Sequence, residues 1–368
     1  MNEMICARTR VVSVEQPCRS FRRIVLAGPD LESAACELVD LLPGPGLAGT
    51  RTAPTLHCGV HGSCGGCRPR RDAYVKVLIP PPGRPPLDVD PSQGLREQFF
   101  ARPEEERGWM RTYTVRSAGR VRLDGHLVPS LTLDVVLHGE VDDPHQGPGL
   151  RWSRTVSPGE EVNVIVPGRE VPAWSAWKHT GARQVLAVGD ETAAPALVSV
   201  AEELADPFGG FTGVADIVIE LPEGGELADL LPRRLALPEP WVPAASASDL
   251  ESTPGLLLHH PSEGRIRVHV GTRGEGAPSG SWASPRVAAL LGLGEDPTAA
   301  QPVPPPEGEA REWTVAEGAE ADPAGRYVFL AGESAMVRGL RRLCVNEAGI
   351  PKQQVSFMGY WRQGQAES

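Results

Sequence analysis

The most informative segment in the first half of the chain is RTYTVR (Arg111–Arg116). Threonine, tyrosine and valine favour a pleated strand. On a strand, Arg111 and Tyr113 share one face, while Thr114 and Arg116 share the other. A guanidinium binds phosphate in a bidentate manner, and a phenol ring stacks on flat aromatic systems. The pattern therefore indicates either a site for a ligand with a phosphate and a flat ring, or an edge strand with one aromatic side chain.

Short strands surround this stretch throughout the first half. They are rich in Val, Ile, Leu and Thr, and glycine or proline punctuates most of them. The predicted strands are Val11–Val14, Phe21–Leu26, Tyr74–Ile79, Thr112–Arg116, Leu131–Leu137 and Glu161–Val166. Several short strands with turn signals predict a small antiparallel β-barrel over residues 8–178. An open sandwich is the alternative, since periodicity alone does not separate the two.

The second half changes to strand, turn and helix in series, after a boundary predicted near Lys178–Arg183. Such units predict a parallel sheet covered by helices over residues 183–364. The predicted strands are Gln184–Val188, Ile217–Glu220, Ile266–Val270, Tyr327–Leu330 and Val355–Met358, and the predicted helices are Ala193–Leu204 and Ser334–Glu347. Residues 42–72 are predicted to be an insertion, and residues 271–325 a long mobile loop.

Length and composition narrow the functional class. A chain of 368 residues with 40% hydrophobic residues is expected to form two domains. The formal net charge of -11 argues against a nucleic-acid partner, which needs a basic surface. The sequence has no secretory signal pattern and no apolar run long enough for a membrane span. The cytoplasm is therefore the expected compartment.

Two motifs of the first half resemble the siderophore-interacting protein family, whose FAD-binding fold is ferredoxin-reductase-like. The RTYTVR stretch is similar to its flavin motif, although Val115 stands where the family commonly has proline. The resemblance implies that Arg111 holds the FAD pyrophosphate and that Tyr113 packs on the isoalloxazine. It implies that Thr114 forms a hydrogen bond near the reactive flavin nitrogen.

The second motif is GPGLRW (Gly147–Trp152), which resembles the family's Gly-Pro-x-x-Arg-Trp. A Gly-Pro turn that opens a helix presents backbone N–H groups to a pyrophosphate. The family usually has Ala-Ser where this chain has Gly149 and Leu150. A strand that ends in His138 precedes the motif, and this histidine is as consistent with a structural role as with a functional one. The resemblance implies cofactor contacts for His138, Gly147, Gly149, Arg151 and Trp152.

Three motifs of the second half also resemble the family. Residues 188–196 are similar to its Gly-Asp-Glu-Thr-Ala-x-Pro-Ala, and a strand, a glycine turn and a helix are where a dinucleotide docks. A matching turn follows a later strand, and GYWRQG (Gly359–Gly364) ends the chain. The terminal aromatics either stack over the flavin or anchor the tail to the barrel. The implied cofactor residues are Gly189, Asp190, Glu191, Thr192, Gly332, Glu333, Tyr360 and Trp361.

The resemblance implies an FAD-dependent oxidoreductase that reduces a ferric siderophore with electrons from NADPH, NADH or ferredoxin. Because ferric siderophores are often anionic, a cationic pocket is expected. Lys76 and Arg273 occupy positions near a family lysine and arginine, with exposed or structural roles as alternatives. Two other functions remain open: a flavin reductase acting on another acceptor in a biosynthetic pathway, and a non-enzymatic binder of flavin or siderophore.

A cysteine-rich loop at residues 57–68 is not a usual part of the family. Cys58, Cys64 and Cys67 have a spacing similar to the cluster loop of [2Fe–2S] ferredoxins, but the fourth cysteine expected about 35 residues later is missing, since none lies between Cys67 and Cys344. The second interpretation is a zinc loop that draws four ligands from His57, Cys58, His61, Cys64 and Cys67. The third is a reduced loop that binds no metal.

Overall fold

The computed structural model describes residues 4–35, 38, 72–137, 147–178, 181–205, 211–227, 242–243, 256–259, 266–294, 313–314 and 325–364. The chain forms two compact units that divide between Ser175 and Ala176. This division lies a few residues before the predicted stretch Lys178–Arg183.

The first unit is a closed antiparallel barrel of six strands, so the predicted barrel is confirmed and the open sandwich is excluded. The strands are paired in the order β1-β2-β5-β4-β3-β6. Their bounds are β1 Met4–Cys18, β2 Phe21–Ala27, β3 Tyr74–Ile79, β4 Trp109–Leu123, β5 His126–Val136 and β6 Glu161–Pro167. Among the described residues of this unit, three α-helices accompany the barrel: α1 Leu95–Phe100, α2 Glu104–Arg107 and α3 Pro148–Thr155.

The pairing of β3 with β4 gives the faces of the flavin-motif strand. Arg111 lies opposite Val77 and Tyr113 lies opposite Val75, and both valines are buried in the barrel core. Directly paired residues share a face, so Arg111 and Tyr113 face the barrel interior. Lys76 pairs with Thr112 and therefore lies on the opposite face. A register shift between Val115 and Ser117 ends this regular alternation.

The second unit is an eight-stranded sheet in the order β12-β14-β13-β7-β8-β11-β10-β9. The central five strands, β14 to β11, are parallel, which confirms the predicted sheet. The strand bounds are β7 Gln184–Gly189, β8 Val214–Leu221, β9 Val242–Pro243, β10 Leu256–His259, β11 Ile266–Thr272, β12 Trp313–Thr314, β13 Arg326–Glu333 and β14 Val355–Trp361. The helices are α4 Ala194–Ala205, α5 Ala283–Leu290 and α6 Ser334–Arg342.

The order of these strands defines where a ligand can dock. From β7 the chain proceeds outward to β8 and β11, and it then returns to the other side of β7 to form β13 and β14. The direction of winding therefore reverses between β7 and β13. In open α/β sheets, ligands bind outside the carboxyl ends of the strands at such a reversal. The crevice after β7 and β13 is thus the expected nucleotide position.

Two predictions about the second unit need correction. The stretch 271–325 is not simply a loop, because it contains the end of β11, helix α5 and strand β12. Helix α5 escaped prediction because it has eight residues and follows a run rich in Gly, Ser and Pro. The predicted helix Ser334–Glu347 is α-helical only to Arg342, and a π-helical turn, Leu343–Glu347, follows. No helix within the described part of the chain is long and apolar enough to cross a membrane.

Candidate functional site

The first turn of α3 packs directly on the flavin-motif strand. A Cβ atom at Gly149 would lie 2.9 Å from Tyr113 Oη and 3.3 Å from Arg111 Cγ. Glycine therefore permits a close approach that a side chain would hinder. The structure thus brings together Arg111, Tyr113 and Gly149, as the resemblance implied, and we name them the barrel cradle.

The barrel cradle combines three features that suit a dinucleotide with a flat ring. Arg111 is 7% exposed, and its Nη1 donates to the carbonyl oxygen of Met110 at 2.9 Å. Helix α3 begins with Pro148 after Gly147, and its first intrahelical bond runs from Arg151 N to the Gly147 oxygen at 3.0 Å. The early N–H groups of a helix have no intrahelical partner, and they carry a partial positive charge. A cation and a helix N-terminus thus lie side by side.

The aromatic part of the barrel cradle is supported from within the barrel. The ring of Trp152, on α3, lies 6.2 Å from that of Tyr113 between centroids, at 32°. Trp152 itself is buried in the barrel core. The Tyr113 ring therefore packs beside a buried indole. The cradle residues fit FAD: a guanidinium and N–H donors for the pyrophosphate, and an aromatic ring for the isoalloxazine.

Other predicted residues of β3 and β4 lie away from this face. Thr114 is buried and pairs with Tyr74 in the strand register. Lys76 Nζ lies 3.4 Å from Thr112 Oγ1, on the face opposite Tyr113. Both are close along the strand to the barrel cradle, but their side chains do not share its face.

The second arginine of the motif belongs to a buried ion-pair group in the barrel wall. Arg116 Nε lies 3.7 Å from Asp134, whose side chain is fully buried. Arg23 on β2 binds the same carboxylate through two hydrogen bonds of 2.7 Å. A buried carboxylate needs such partners because burial disfavours its charge. Arg116 therefore serves the barrel wall, and sequence reasoning did not single out Arg23 or Asp134.

In the second unit, Asp190 connects the carboxyl ends of β7, β13 and β14. One of its oxygens accepts from the backbone and hydroxyl of Thr192, at 2.9 and 2.6 Å. The other accepts from Glu333 N at 2.7 Å, Trp361 Nε1 at 2.9 Å and Ser279 Oγ at 3.2 Å. Asp190 is fully buried. The predicted residues of this unit are therefore brought together at the winding reversal.

A buried ion pair lies beside Asp190. Arg273, which follows β11, donates both terminal nitrogens to the Glu191 carboxylate at 2.7 and 2.8 Å. Its Nη1 also lies 3.5 Å from Glu220, at the end of β8. Burial, together with the neighbouring Asp190 carboxylate, raises the pKa of Glu191 from 4.5 to about 6. The Arg273 guanidinium opposes this shift and only partly offsets it.

Glu220 is a second acidic residue that sequence reasoning did not single out. Its carboxylate accepts from three backbone N–H groups at the start of α5, those of Gly280, Trp282 and Ala283, at 2.7 to 2.8 Å. These bonds cap α5 and hold it against β8. A glutamate on a buried strand gives no sequence signal that it caps a helix 60 residues later along the chain.

The C-terminal aromatics lie on the α/β unit. Besides the indole contact with Asp190, the Trp361 carbonyl oxygen accepts from Ser334 Oγ at 2.8 Å. Glu333 caps α6 through Ala335 N and Met336 N, and it accepts from Gln363 N at 3.2 Å. The tail is thus tied to the β13–α6 junction, and Tyr360 lies next to this anchor.

Two groups of predicted residues fall outside the described part of the chain. His138 is one of them, and the cysteine loop with Cys58, His61, Cys64 and Cys67 is the other. Their roles stay predictions. Every other predicted site residue is placed either near the barrel cradle or at the carboxyl edge of the parallel sheet.

Comparison with known proteins gives matches in both units. A family model described as "Siderophore-interacting FAD-binding domain" matches residues 58–171, and one described as "Siderophore-interacting protein" matches residues 182–364. No curated protein matches the chain significantly in sequence.

Three solved structures are similar over the whole chain. The siderophore-interacting protein SipS from Aeromonas hydrophila is 20% identical, with a TM-score of 0.50, and the match covers 100% of this chain and 94% of that one. A siderophore utilization protein from T. fusca is 21% identical, with a TM-score of 0.52 and coverage of 100% and 97%. The siderophore-interacting protein from Acinetobacter baumannii is 16% identical, with a TM-score of 0.51 and coverage of 100% and 93%. At these identities the likeness supports the fold alone.

Proposed function

Because the chain belongs to the siderophore-interacting protein family, we propose that it is an FAD-dependent oxidoreductase that reduces ferric siderophores. The reduced iron leaves because siderophores bind Fe(II) weakly. The electron donor in this proposal is a reduced nicotinamide nucleotide, which docks on the α/β unit, with ferredoxin as the other donor to be tested.

The observation that carries the proposal is the contact between α3 and the flavin-motif strand. The Cβ position of Gly149 lies 2.9 Å from Tyr113 Oη and 3.3 Å from Arg111 Cγ. A phosphate placed at the N-terminus of α3 would therefore be next to the stem of Arg111. Charge-assisted and bidentate hydrogen bonds of this kind are among the strong ones in proteins.

The chain's own residues bind and orient the redox group. Bound FAD would supply the redox chemistry, which is two-electron oxidation of a reduced nucleotide and one-electron reduction of each of two Fe(III) ions. Arg111 and the first turn of α3 supply positive charge for its pyrophosphate. Tyr113, held by Trp152, supplies a face on which its ring system packs. No side chain needs to act as a general acid or base for electron transfer to iron.

The substrate side of the proposal rests on Lys76. Lys76 is half-buried on the barrel strand next to the flavin motif, and its ammonium group lies beside Thr112. An anionic ferric siderophore would be attracted to such a charge. Arg273 is a weaker candidate, because Glu191 already takes both of its terminal nitrogens.

The test follows the flavin spectrum in the absence of oxygen. The protein reconstituted with FAD is mixed with NADH or NADPH, and a ferric siderophore is then added with an Fe(II)-specific chelator. Bleaching, followed by recovery of the yellow colour and formation of the Fe(II) complex, is the expected result. Recovery with a quinone but with no ferric chelate would favour a flavin reductase for another acceptor. A yellow protein that no donor bleaches would favour a non-enzymatic binder.

A further inference from the structure

The ends of β7, β8 and β11 form one acidic half of the carboxyl edge. The described segments that follow these strands are residues 190–193, 222–227 and 273–278. They contain the carboxylates of Asp190, Glu191, Glu223, Glu226 and Glu275, to which the end of β8 adds Glu220. Arg273 is the one basic residue in these described segments.

This acidic edge lies next to the winding reversal, where a dinucleotide is expected to dock. A dinucleotide that docks outside β7 extends along the carboxyl ends of neighbouring strands. In dinucleotide-binding units of strand, helix and strand, the adenine ribose lies at the end of the second strand. In the β7-α4-β8 unit, this second strand is β8. An acidic side chain there binds the ribose 2′-hydroxyl of NADH, whereas an arginine there accommodates the 2′-phosphate of NADPH.

Arg273, although it follows β11, lies beside the end of β8. Its backbone N–H donates to the carbonyl oxygen of Leu221, the last residue of β8, at 2.9 Å. Its guanidinium, however, is turned to Glu191 and Glu220 and is only 11% exposed. A carboxylate therefore occupies the bidentate face that a phosphate would use.

Glu191 holds the guanidinium of Arg273 through two hydrogen bonds. Both of its oxygens accept from the guanidinium, and its side chain is 3% exposed. The turn after β8 adds the exposed carboxylate of Glu223. A 2′-phosphate at this position would meet negative charge while the nearest arginine is held by another anion.

We infer that this chain selects NADH over NADPH and that Glu191 sets the selectivity by holding Arg273 away from a 2′-phosphate. The inference rests on the proposed function, and it names the electron donor. Replacing Glu191 by glutamine removes the competing charge and frees Arg273 to bind phosphate.

The test uses the full chain reconstituted with FAD and two adenine nucleotides as probes. Calorimetric titration with 5′-AMP and with adenosine 2′,5′-bisphosphate isolates the 2′-phosphate from the nicotinamide. The wild type is expected to bind 5′-AMP at least about tenfold more tightly than the bisphosphate. Glu191→Gln is expected to reduce this ratio by about tenfold or more. Glu347→Gln, which removes an exposed carboxylate from the π-helical turn after α6 and so lies outside the acidic edge, serves as the matched control and should leave the ratio nearly unchanged.

A parallel measurement separates this inference from the proposed function. Anaerobic flavin reduction should be faster with NADH than with NADPH in the wild type, and the difference should narrow in Glu191→Gln. Faster reduction by NADPH in the wild type, or a ratio that Glu191→Gln leaves unchanged, overturns the inference while the proposed reductase stands. If neither nucleotide binds or reduces the flavin, the inference and nucleotide-driven reduction fail together.

Discussion

At the scale of single residues, Arg111 is the main cation of the barrel cradle. The guanidinium lies in the barrel interior beside the first turn of α3, and its stem touches the Cβ position of Gly149. Hydrogen bonds to charged groups contribute about 1.5–3 kcal/mol each. A pyrophosphate held by Arg111 and a helix N-terminus should therefore be sensitive to the loss of this one side chain.

Replacing Arg111 by alanine is expected to weaken FAD binding by about ten- to a hundredfold, because a charge-assisted contact with the pyrophosphate is lost. Fluorescence titration of the apoprotein with FAD measures the dissociation constant. Arg122→Ala is the control, because Arg122 lies exposed on the same strand. Equal affinities of the two variants would show that Arg111 does not hold the cofactor.

Glu191 provides a second prediction at the residue scale. Its pKa is about 6 in the folded chain against an ordinary value of 4.5, with Asp190, Glu220 and Arg273 as the charged groups around it. Because the folded pKa is the higher one, this group contributes stability below about pH 4.5 that is lost as the pH rises through about 6. The loss amounts to about 2 kcal/mol.

Glu191→Gln removes this titration. From about pH 4 to about pH 8, the free energy of unfolding of the variant should rise by about 2 kcal/mol relative to that of the wild type. Chemical denaturation of both apoproteins at each pH measures the difference. A difference that is constant with pH, or one that falls as the pH rises, would contradict the assigned pKa.

At the scale of elements, the junction between β7, β13 and α6 is held by Asp190 and by the conformation of Gly332. Gly332 has a φ of +134°, and a Cβ atom there would lie 2.7 Å from Asp190 Cγ. Residues other than glycine rarely adopt this backbone conformation. Asp190 also cannot move to make room for a Cβ atom without losing its hydrogen bonds. The turn therefore requires glycine for two independent reasons.

Gly332→Ala is expected to destabilise the chain by about 3 kcal/mol, because backbone strain adds to a clash with a buried carboxylate. Gly349→Ala is the matched control: its φ is +68°, but a Cβ atom there meets nothing within 4 Å. The control should lose only about 1 kcal/mol. Thermal unfolding midpoints of the two variants give the comparison. Equal losses of stability would contradict the proposed clash with Asp190.

Much of this element structure was predictable from sequence, and the exceptions have physical causes. Strand Tyr74–Ile79 is predicted with the bounds it has, because its residues are mostly Val, Ile and Leu and because Pro80 follows directly. Helix α5 was missed, because its N-terminal cap is Glu220, far away in the sequence, rather than a local Ser, Thr or Asp. Arg116 and Arg273 are both arginines near predicted motifs, and only the fold indicates that buried carboxylates bind them.

At the scale of the whole molecule, the two units gather different chemical groups. The barrel places a cation, a helix N-terminus and a ring on one interior face, whereas the parallel sheet gathers carboxylates at its edge. The net charge of -11 does not by itself indicate which unit is acidic. The positions of the individual charges do indicate it, because the carboxylates lie at the edge of the sheet. These positions suit the FAD pyrophosphate on the barrel and a nucleotide without a 2′-phosphate on the sheet.

The most direct test of the account is FAD uptake by the barrel cradle. Colourless full-length apoprotein is mixed with excess FAD, passed through a desalting column and examined by absorbance. We expect about one equivalent of bound FAD per chain, with a flavin spectrum altered by the packing on Tyr113. Protein that leaves the column without flavin would contradict the assignment of the barrel cradle and, with it, the proposed reduction of iron.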